Sequence, residues 1–151
     1  LYRGKVADSY VRIHEAIAKA LGGVGVEAHL RCGNPIESDR EGTGMCFHKS
    51  TPQDLMWGGH KGVGSAQRRK DGRVLHHGSI KLGTSALEGE IATLRASSPD
   101  LDAPGLAPRL LEAFRSELGL EFEVGVPSVE ERTLSQVLGT RYLDPEFVRR
   151  R

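Results

Sequence analysis

The sequence predicts an α+β fold in which helices flank a mixed or antiparallel sheet. Three observations point to this class. Apolar residues follow helical spacing near the start, a β-hairpin pattern surrounds Asp71-Gly72, and a helix–strand–helix pattern follows residue 106. Elements in this order, without the regular βαβ alternation of a parallel sheet, are typical of an α+β domain.

The first predicted element is a helix with Ser9 as its N-cap and Gly22 and Gly23 at its end. Serine is a favoured N-cap, and glycine favours helix termination. Between these limits apolar residues recur at helical spacing, at Val11, Ile13, Ile17 and Leu21. Residues 24–30 then alternate, which predicts a strand, and the polar residues 33–44 predict a loop.

A β-hairpin is predicted over residues 61–82. Its first strand covers 61–68, the turn is Lys70-Asp71-Gly72, and the return strand covers 74–82. Asp-Gly is a strong turn signal because both residues tolerate positive φ angles. Glycines at positions 62 and 64 weaken the first strand, and they also allow a ligand to lie against its backbone.

The last third of the sequence is predicted to contain a linker, a helix and a strand. Residues 100–108 contain prolines and predict the linker. Apolar residues from Leu106 follow helical spacing as far as Gly119, and residues 120–126 alternate between apolar and acidic, as in a half-buried strand.

A final helix is predicted from a capping box. Ser128 and Glu131 have the spacing at which each side chain bonds the other residue's backbone N–H, and the helix should continue to about Leu138. With 151 residues, the chain has the size of one domain with a real core. We therefore expect a single domain over residues 1–151.

The composition argues against several classes of function. An apolar fraction of 38% with 27% charged residues argues against wholesale disorder, and a net charge of +1 argues against a dedicated nucleic-acid binder. The sequence contains no apolar run long enough to span a membrane and no signal-peptide pattern. Two cysteines do not make a disulfide scaffold, so we expect a reduced cytoplasmic protein.

Charge is uneven along the chain. Residues 1–83 carry 13 Lys and Arg against 8 Asp and Glu, whereas residues 84–151 carry 8 Arg against 12 Asp and Glu. A modestly basic half suits an acidic partner or a phosphate-bearing ligand, although scatter in surface charge explains it equally well. A basic cluster around the hairpin turn is open to the same two interpretations, a solvated face or a surface that steers an acidic protein. The cluster consists of Arg68, Arg69, Lys70 and Arg73.

Cys46 and Lys61 are candidate catalytic residues. A thiol becomes a useful nucleophile when a nearby cation favours its thiolate form, and Lys61 follows Cys46 by fifteen residues in a stretch of small residues. His48 could instead act as the base of a Cys-His pair. The competing interpretation is that Cys46 is a small buried apolar residue. Cys32 is interpreted as structural.

Four histidines, His48, His60, His76 and His77, crowd the same segment. None of their spacings is diagnostic of zinc, and alternation along a strand places His76 and His77 on opposite faces. We expect no metal site.

The stretch "CFHKSTPQDLMWGGHKGVGSAQRRKDGRVLHHGSIKL" resembles the central signature of the lipoate–protein ligase and octanoyltransferase family. That signature has a basic residue, a lysine, Gly-Ser-Ala, a hairpin turn and His-Gly-Ser or His-Gly-Thr. The resemblance implies the biotin/lipoate protein ligase fold, which is similar to class II synthetases. The matching residues here are His60, Lys61, Gly64, Ser65, Ala66, His77, Gly78 and Ser79.

The pair Cys46-Phe47 resembles the octanoyltransferase branch of the family. The resemblance implies that Cys46 carries an octanoyl group received from acyl carrier protein and passes it to a lysine of a lipoyl domain. Such domains belong to 2-oxoacid dehydrogenases and the glycine cleavage H protein. Lys61 would favour the thiolate and hold the acyl carbonyl. The acyl group would be lined by Gly64, Ser65, Ala66, His77, Gly78 and Ser79. No cofactor, nucleic acid or membrane is implied.

The sequence departs from the family pattern in two places. Gly62 stands where a branched apolar residue is usual, and an Arg-rich Gly-Gly-Gly segment that forms the other wall of the acyl site is missing. We therefore expect the chain to match the C-terminal portion of the catalytic domain. Two alternatives remain open. One is an ATP- and Mg²⁺-dependent lipoate–protein ligase, in which Lys61 would contact the acyl-adenylate. The other is an accessory chain that needs a partner to complete its site.

Overall fold

The computed structural model describes residues 2–33, 36–40, 42, 45–84 and 86–149. Its contacts divide the chain into two compact units, Leu1–Glu121 and Phe122–Arg151. The prediction of one domain over residues 1–151 stays a prediction. The helices and strands of the first unit are α1 (Val6–Gly22), β1 (His29–Leu30), β2 (Leu55–Trp57), β3 (His60–Lys70), β4 (Arg73–Ile80) and α2 (Ala103–Leu118), with short 3₁₀ helices at Cys46–His48 and Leu94–Ala96. The second unit contains α3 (Val129–Leu143) and α4 (Pro145–Val148).

The four strands form one antiparallel sheet in the order β1-β2-β3-β4. The predicted hairpin is confirmed, because β3 and β4 pair from Lys70 and Arg73 at the turn back to Val63 and Ile80. Asp71 and Gly72 have φ angles of 50° and 71°. Two successive positive φ angles are those of a type I′ turn, which matches the twist of the strands that it joins.

A β-bulge interrupts the pairing of β2 and β3. Leu55 pairs with Val63 and Met56 pairs with Lys61, so Gly62 is the extra residue on β3. A Cβ atom at Gly62 would lie 1.9 Å from the ring of Trp57. The indole occupies the space that a side chain at position 62 would need, and this explains why glycine stands there.

Helix α1 begins earlier than the sequence predicted. Its N-cap is Lys5, whose backbone N–H donates to the carboxylate of Asp8, and Ser9 lies inside the first turns. Ser9 is fully buried, and its hydroxyl donates to the Val6 carbonyl at 2.7 Å. The predicted N-cap was wrong because Ser9 makes these contacts within the helix instead of capping it.

The core of the first unit lies between the sheet and the two long helices, which pack against each other. Helix α2 ends at Gly119 as predicted, in the left-handed conformation at φ 62°. It begins at Ala103, inside the predicted linker, because Asp102 caps it by accepting from the Gly105 N–H. The buried core side chains are Ile13, Ile17, Leu21, Val26, Leu55, Trp57, Val63, Ala92, Leu94 and Leu106.

Two predicted strands differ from the structure. The strand at 24–30 shrinks to its last two residues, because Gly25 adopts a φ of 79° and Val26 turns into the core. Within the described chain, residues 119–128 form neither helix nor strand, so the strand at 120–126 was wrong. Val124 and Val126 are 99% and 87% exposed, so the alternation has no buried face.

In the second unit, the predicted capping box of Ser128 and Glu131 is present, and α3 continues five residues past the predicted end, to Leu143. Tyr142 packs edge-on against Phe147, with ring centroids 5.2 Å apart. Positions 34, 35, 41, 43 and 44 of the predicted loop lie outside the described residues. Among the described residues, no helix has both the length and the apolar character needed to cross a bilayer.

Candidate active site

The hairpin brings the two halves of the family signature into direct register. Gly64 pairs with Ser79, Ser65 with Gly78, and Ala66 with His77. The backbones approach closely here, since a Cβ atom at Gly78 would lie 2.8 Å from the Gly64 carbonyl oxygen and 2.8 Å from Ser65 Cβ. Only glycine fits at position 78 without moving the partner strand. Gly64, Ala66, His77 and Ser79 therefore form one patch on the same face of β3 and β4, whereas the other two predicted acyl-lining residues, Ser65 and Gly78, lie on the opposite face.

Lys61 lies at the base of this patch with its ammonium group buried. Its Nζ is 2.9 Å from Asp54 Oδ2, and it donates to the carbonyl oxygens of Cys46 at 3.0 Å and Lys49 at 2.8 Å. These three acceptors use all three N–H groups of the ammonium. A Cβ atom at Gly64 would lie 2.7 Å from Lys61 Cε. The small residue at 64 thus gives the lysine side chain the space in which it lies.

Cys46 is the first residue of the 3₁₀ helix Cys46–His48, and its side chain is exposed. Its backbone is fixed by the hydrogen bond from Lys61. Phe47 is buried beside two ammonium groups, with Lys61 Nζ 5.3 Å and Lys81 Nζ 4.5 Å from its ring centroid. The arrangement holds the thiol-bearing backbone against β3 and leaves the thiol accessible. The catalytic roles of Cys46 and Lys61 stay predictions.

The two faces of the hairpin differ in the residues that they carry and in their exposure to solvent. The inner face, which packs toward α1, carries Ser65, Gln67, Arg69, His76 and Gly78. The outer face carries Gly64, Ala66, Arg68, Lys70, Arg73, Leu75, His77 and Ser79. All outer-face residues except the half-buried Gly64 are exposed.

The inner face contains a polar network that the sequence did not predict. His14 on α1 is fully buried, with Nε2 2.8 Å from Ser65 Oγ and Nδ1 against the Gln53 carbonyl. A carbonyl only accepts, so Nδ1 carries the proton and Nε2 accepts from the Ser65 hydroxyl. Burial is the main cause that lowers the pKa of His14, which keeps the ring neutral. The signal in the sequence was a histidine on the apolar face of α1, beside Ile13 and Ile17.

His76 extends this network. Gln67 Nε2 lies 3.0 Å from His76 Nδ1, and the His76 ring lies 5.1 Å from the Tyr10 ring between centroids. Burial, with His14 and His77 nearby, lowers the pKa of His76. His77 is exposed on the outer face, so the two adjacent histidines do lie on opposite sides of the sheet.

The remaining candidates are placed as follows. His48 is buried and its Nε2 lies 2.5 Å from the Glu88 carbonyl oxygen, so this nitrogen donates to the backbone. His60 Nε2 lies 3.6 Å from Glu37 Oε2. The residues that the structure describes contain no group of three or more His, Cys, Asp or Glu side chains that could hold a metal ion. Asp54, the ion-pair partner of Lys61, was not identified from the sequence, because nothing in the stretch "TPQDL" distinguishes it.

Comparisons with known proteins agree on one family. Residues 2–85 match the model of the Biotin/lipoate A/B protein ligase family. Octanoyltransferase LipM from Kyrpidia tusciae is 32% identical, over 95% of this chain and 62% of that protein. Octanoyltransferase LipM from Moorella thermoacetica is 38% identical, over 82% of this chain and 45% of that protein. The chain thus spans between 45% and 62% of the length of these curated relatives.

Solved structures show the same fold. A candidate lipoate protein ligase from T. acidophilum, solved with bound lipoic acid, has a TM-score of 0.72 at 20% identity, over 97% of this chain and 60% of that chain. Lipoate-protein ligase A bound with ATP has a TM-score of 0.70 at 19% identity, over 95% of this chain and 59% of that chain. The predicted fold class, an α+β domain like the biotin/lipoate protein ligases, is confirmed.

Proposed function

This chain belongs to the biotin/lipoate A/B protein ligase family, and from that premise we propose that it carries the cysteine–lysine centre of an octanoyltransferase. The observation that carries the proposal is the hydrogen bond from Lys61 Nζ to the Cys46 carbonyl, directly beside the patch of Gly64 and Ser79. The similarity to octanoyltransferases LipM supports the same reaction class.

In the first step, the Cys46 thiolate attacks the thioester carbonyl of an octanoyl group on acyl carrier protein. A bond forms between Cys46 Sγ and the acyl carbon, the carrier's S–C bond breaks, and the carrier leaves as a thiolate that takes a proton from water. The exposed position of Cys46 makes this attack sterically accessible. Lys61, which donates to the Cys46 carbonyl, would hold the backbone of the nucleophile in place during this attack.

In the second step, the amine of a lysine on a lipoyl domain attacks the acyl-enzyme. The amide C–N bond forms, the Cys46 S–C bond breaks, and the amine proton balances the released thiolate. Acceptors of this kind are the lipoyl domains of 2-oxoacid dehydrogenases and the glycine cleavage H protein. The transfer needs no cofactor. We place it in the cytoplasm, where the two free thiols, Cys32 and Cys46, would stay reduced.

Gly64, Ser65, Ala66, His77, Gly78 and Ser79 would line the acyl group in this proposal. Gly64 and Gly78 keep the two backbones close. Ser65 is held by His14, so its hydroxyl has a fixed direction. Of these residues, Gly64, Ala66, His77 and Ser79 face outward, where an acyl chain could lie along the ribbon.

The ligase alternative keeps the fold but changes the chemistry. The likeness to a ligase bound with ATP supports the shared fold alone. In that reaction Lys61 would contact an acyl-adenylate, formed with ATP and Mg²⁺. The contacts of Lys61 do not distinguish the two reactions, because its three N–H groups already donate to protein oxygens and leave none for an acyl-adenylate or for an acyl carbonyl.

The test is intact-protein mass after incubation with octanoyl-acyl carrier protein. We expect a hydroxylamine-labile octanoyl adduct on the unmodified chain and on Cys32→Ser, which removes the other exposed thiol. Cys46→Ser should carry no such adduct. An adduct that persists in Cys46→Ser would contradict the proposal, and ATP-dependent transfer by that variant would favour the ligase. An adduct that forms only after a second chain is added would favour an accessory role.

A further inference from the structure

The outer face of the β3–β4 hairpin ends in an exposed basic surface, in which Lys70 is the only cation with an ion-pair partner among the described residues, the neighbouring Asp71. We propose that this tip, formed by Arg68, Lys70, Arg73 and Leu75, is the docking surface for the acidic donor carrier protein. The proposal rests on the proposed function and deepens it, because it separates the place where the donor docks from the place where the acyl group reacts.

The contrast between neighbouring arginines supports a binding role. Arg69 faces inward, and its guanidinium group is hydrogen-bonded within the protein. It donates to the carbonyls of Tyr2 and Gly4, to Ser9 Oγ and to Gln67 Oε1. Arg68 and Arg73 face outward, and within the described part of the chain neither forms an ion pair. These two charges are therefore available to a partner without any cost to the fold.

An exposed apolar side chain lies among these charges. Leu75 is 62% exposed and pairs directly with Arg68 across the hairpin. A groove of about 520 Å³ lies here, lined by Arg68, Lys70, Asp71, Arg73, Val74 and Leu75. An apolar anchor within a rim of positive charge suits a partner that presents an apolar residue among carboxylates.

The distance from the tip to the candidate active site determines which partner, docked at the tip, can reach Cys46. Arg68 lies four residues from Gly64 and Arg73 six residues from Ser79, which is roughly 13 Å and 20 Å along the strands. A carrier docked at the tip must reach back along the outer face to Cys46. A donor that holds its acyl group on a long flexible thioester arm can span this distance. A lipoyl domain cannot, because its acceptor is a lysine side chain.

The experiment measures binding of acyl carrier protein without its acyl group, by fluorescence anisotropy, to three forms of the full chain. These are the unmodified chain, Arg68→Glu/Arg73→Glu, and the control Arg12→Glu, an exposed arginine on α1 at the opposite face of the sheet. We expect the double variant to weaken binding by about 10-fold or more and the control to leave it unchanged. Leu75→Ala should also weaken binding. Equal binding by the double variant, or an equal loss in Arg12→Glu, would overturn the proposal.

A salt series on the unmodified chain needs no substitution. Binding should weaken steeply between about 50 and about 500 mM NaCl, because exposed charges are screened. Affinity that does not change with salt would overturn the proposal. So would a short DNA duplex that binds the tip as tightly as the carrier does, or a loss of lipoyl-domain binding in place of carrier binding.

A small octanoyl thioester separates this proposal from the proposed function. It can acylate Cys46 without docking at the tip, so the double variant should be loaded by it as fast as the unmodified chain and should lose only carrier-dependent loading. If the small thioester loads neither protein, the octanoyltransferase proposal fails, and the binding measurements still decide the docking surface. If the double variant loses both kinds of loading equally, the docking role is overturned.

Discussion

Lys61 is a buried ammonium group, which proteins tolerate only when it is paired and hydrogen-bonded. Asp54 supplies the charge, and the carbonyls of Cys46 and Lys49 supply the remaining acceptors. Both charged side chains are nearly inaccessible, at 7% and 5% exposure. The lysine therefore does two things at once: it places a positive charge beside Cys46, and it ties the segment that carries Cys46 to the sheet.

Replacing Asp54 with Asn should destabilise the protein strongly. The change leaves the Lys61 ammonium buried without a counter-charge, which typically costs about 3–5 kcal/mol. Chemical denaturation measures the loss. Asp71→Asn is the matched control, since the Lys70–Asp71 pair is exposed and 3.8 Å apart, and its stability should not change. The double variant Asp54→Asn/Lys61→Met should recover part of the loss. If Asp54→Asn is as stable as Asp71→Asn, the ion pair does not hold this site together.

His14 should make the protein less stable in mild acid. In the unfolded chain its pKa is near 6.5, whereas burial lowers its pKa in the folded chain. The unfolded chain therefore takes up the proton first, so the stability from neutral His14 is complete above about pH 6.5 and is lost as the pH falls toward the lower folded value.

The measurement compares the free energy of unfolding at about pH 7 and about pH 5. His14→Gln offers an amide oxygen that can accept from Ser65 but does not titrate, so its stability should change less over this range. Some change should remain, because burial also lowers the pKa of His76. His29→Gln, at an exposed position on β1, serves as the control. An unchanged pH dependence in His14→Gln would rule out His14 as the source.

At the scale of elements, the hairpin is the part of the structure that the sequence predicted best. Asp71-Gly72 fixes the turn, and the register from that turn brings Gly64 opposite Ser79. The bulge at Gly62 could not be predicted, because it depends on where the Trp57 ring lies. The strand at 120–126 was wrong because alternation describes a strand only when one of its faces becomes buried.

The prediction of the candidate site had a similar limit, because a local sequence pattern does not show which separate segments come into contact. Cys46, Lys61 and the hairpin residues were found through local patterns and a resemblance. Asp54 and His14 were missed because their roles come from contacts that only the fold creates: Asp54 meets Lys61 across neighbouring segments, and His14 lies 51 residues from Ser65 in the chain. A polar residue in an apolar helix stripe was the available signal for His14, and a single sequence offers no signal that identifies its partner.

Gly78→Ala should disturb the pairing of β3 and β4. The new methyl group would lie 2.8 Å from the Gly64 carbonyl oxygen and from Ser65 Cβ, so the strands must separate, at a cost of about 1–3 kcal/mol. Denaturation and amide exchange on β3 and β4 would show this. Gly83→Ala is the control, because its methyl group would contact Arg95 at an ordinary 3.5 Å. Equal stability of the two variants would mean that the close approach at Gly78 is not a constraint.

At the scale of the whole molecule, the core draws its side chains from every part of the first unit. Leu21 comes from α1, Leu55 from the sheet and Leu94 from a short 3₁₀ helix, and all three are fully buried. The segment around Leu94 is tied to the sheet through its backbone, since the Leu94 N–H donates to the Lys81 carbonyl at 2.9 Å. A segment with little regular structure thus completes the core, and its Ala92 N–H donates to the carbonyl of Lys61 in the candidate site at 3.2 Å.

Leu94→Ala should therefore destabilise the first unit as much as a change in a long helix. Removing a fully buried leucine side chain typically costs about 2–5 kcal/mol, depending on how far the cavity collapses. Trp57 is the sole tryptophan and lies in the same core, so its fluorescence reports unfolding of this unit. Leu87→Ala, at a position that is 80% exposed, should leave the transition unchanged. If Leu94→Ala shifts the Trp57 transition no more than Leu87→Ala does, the segment around Leu94 does not contribute to the core of this unit.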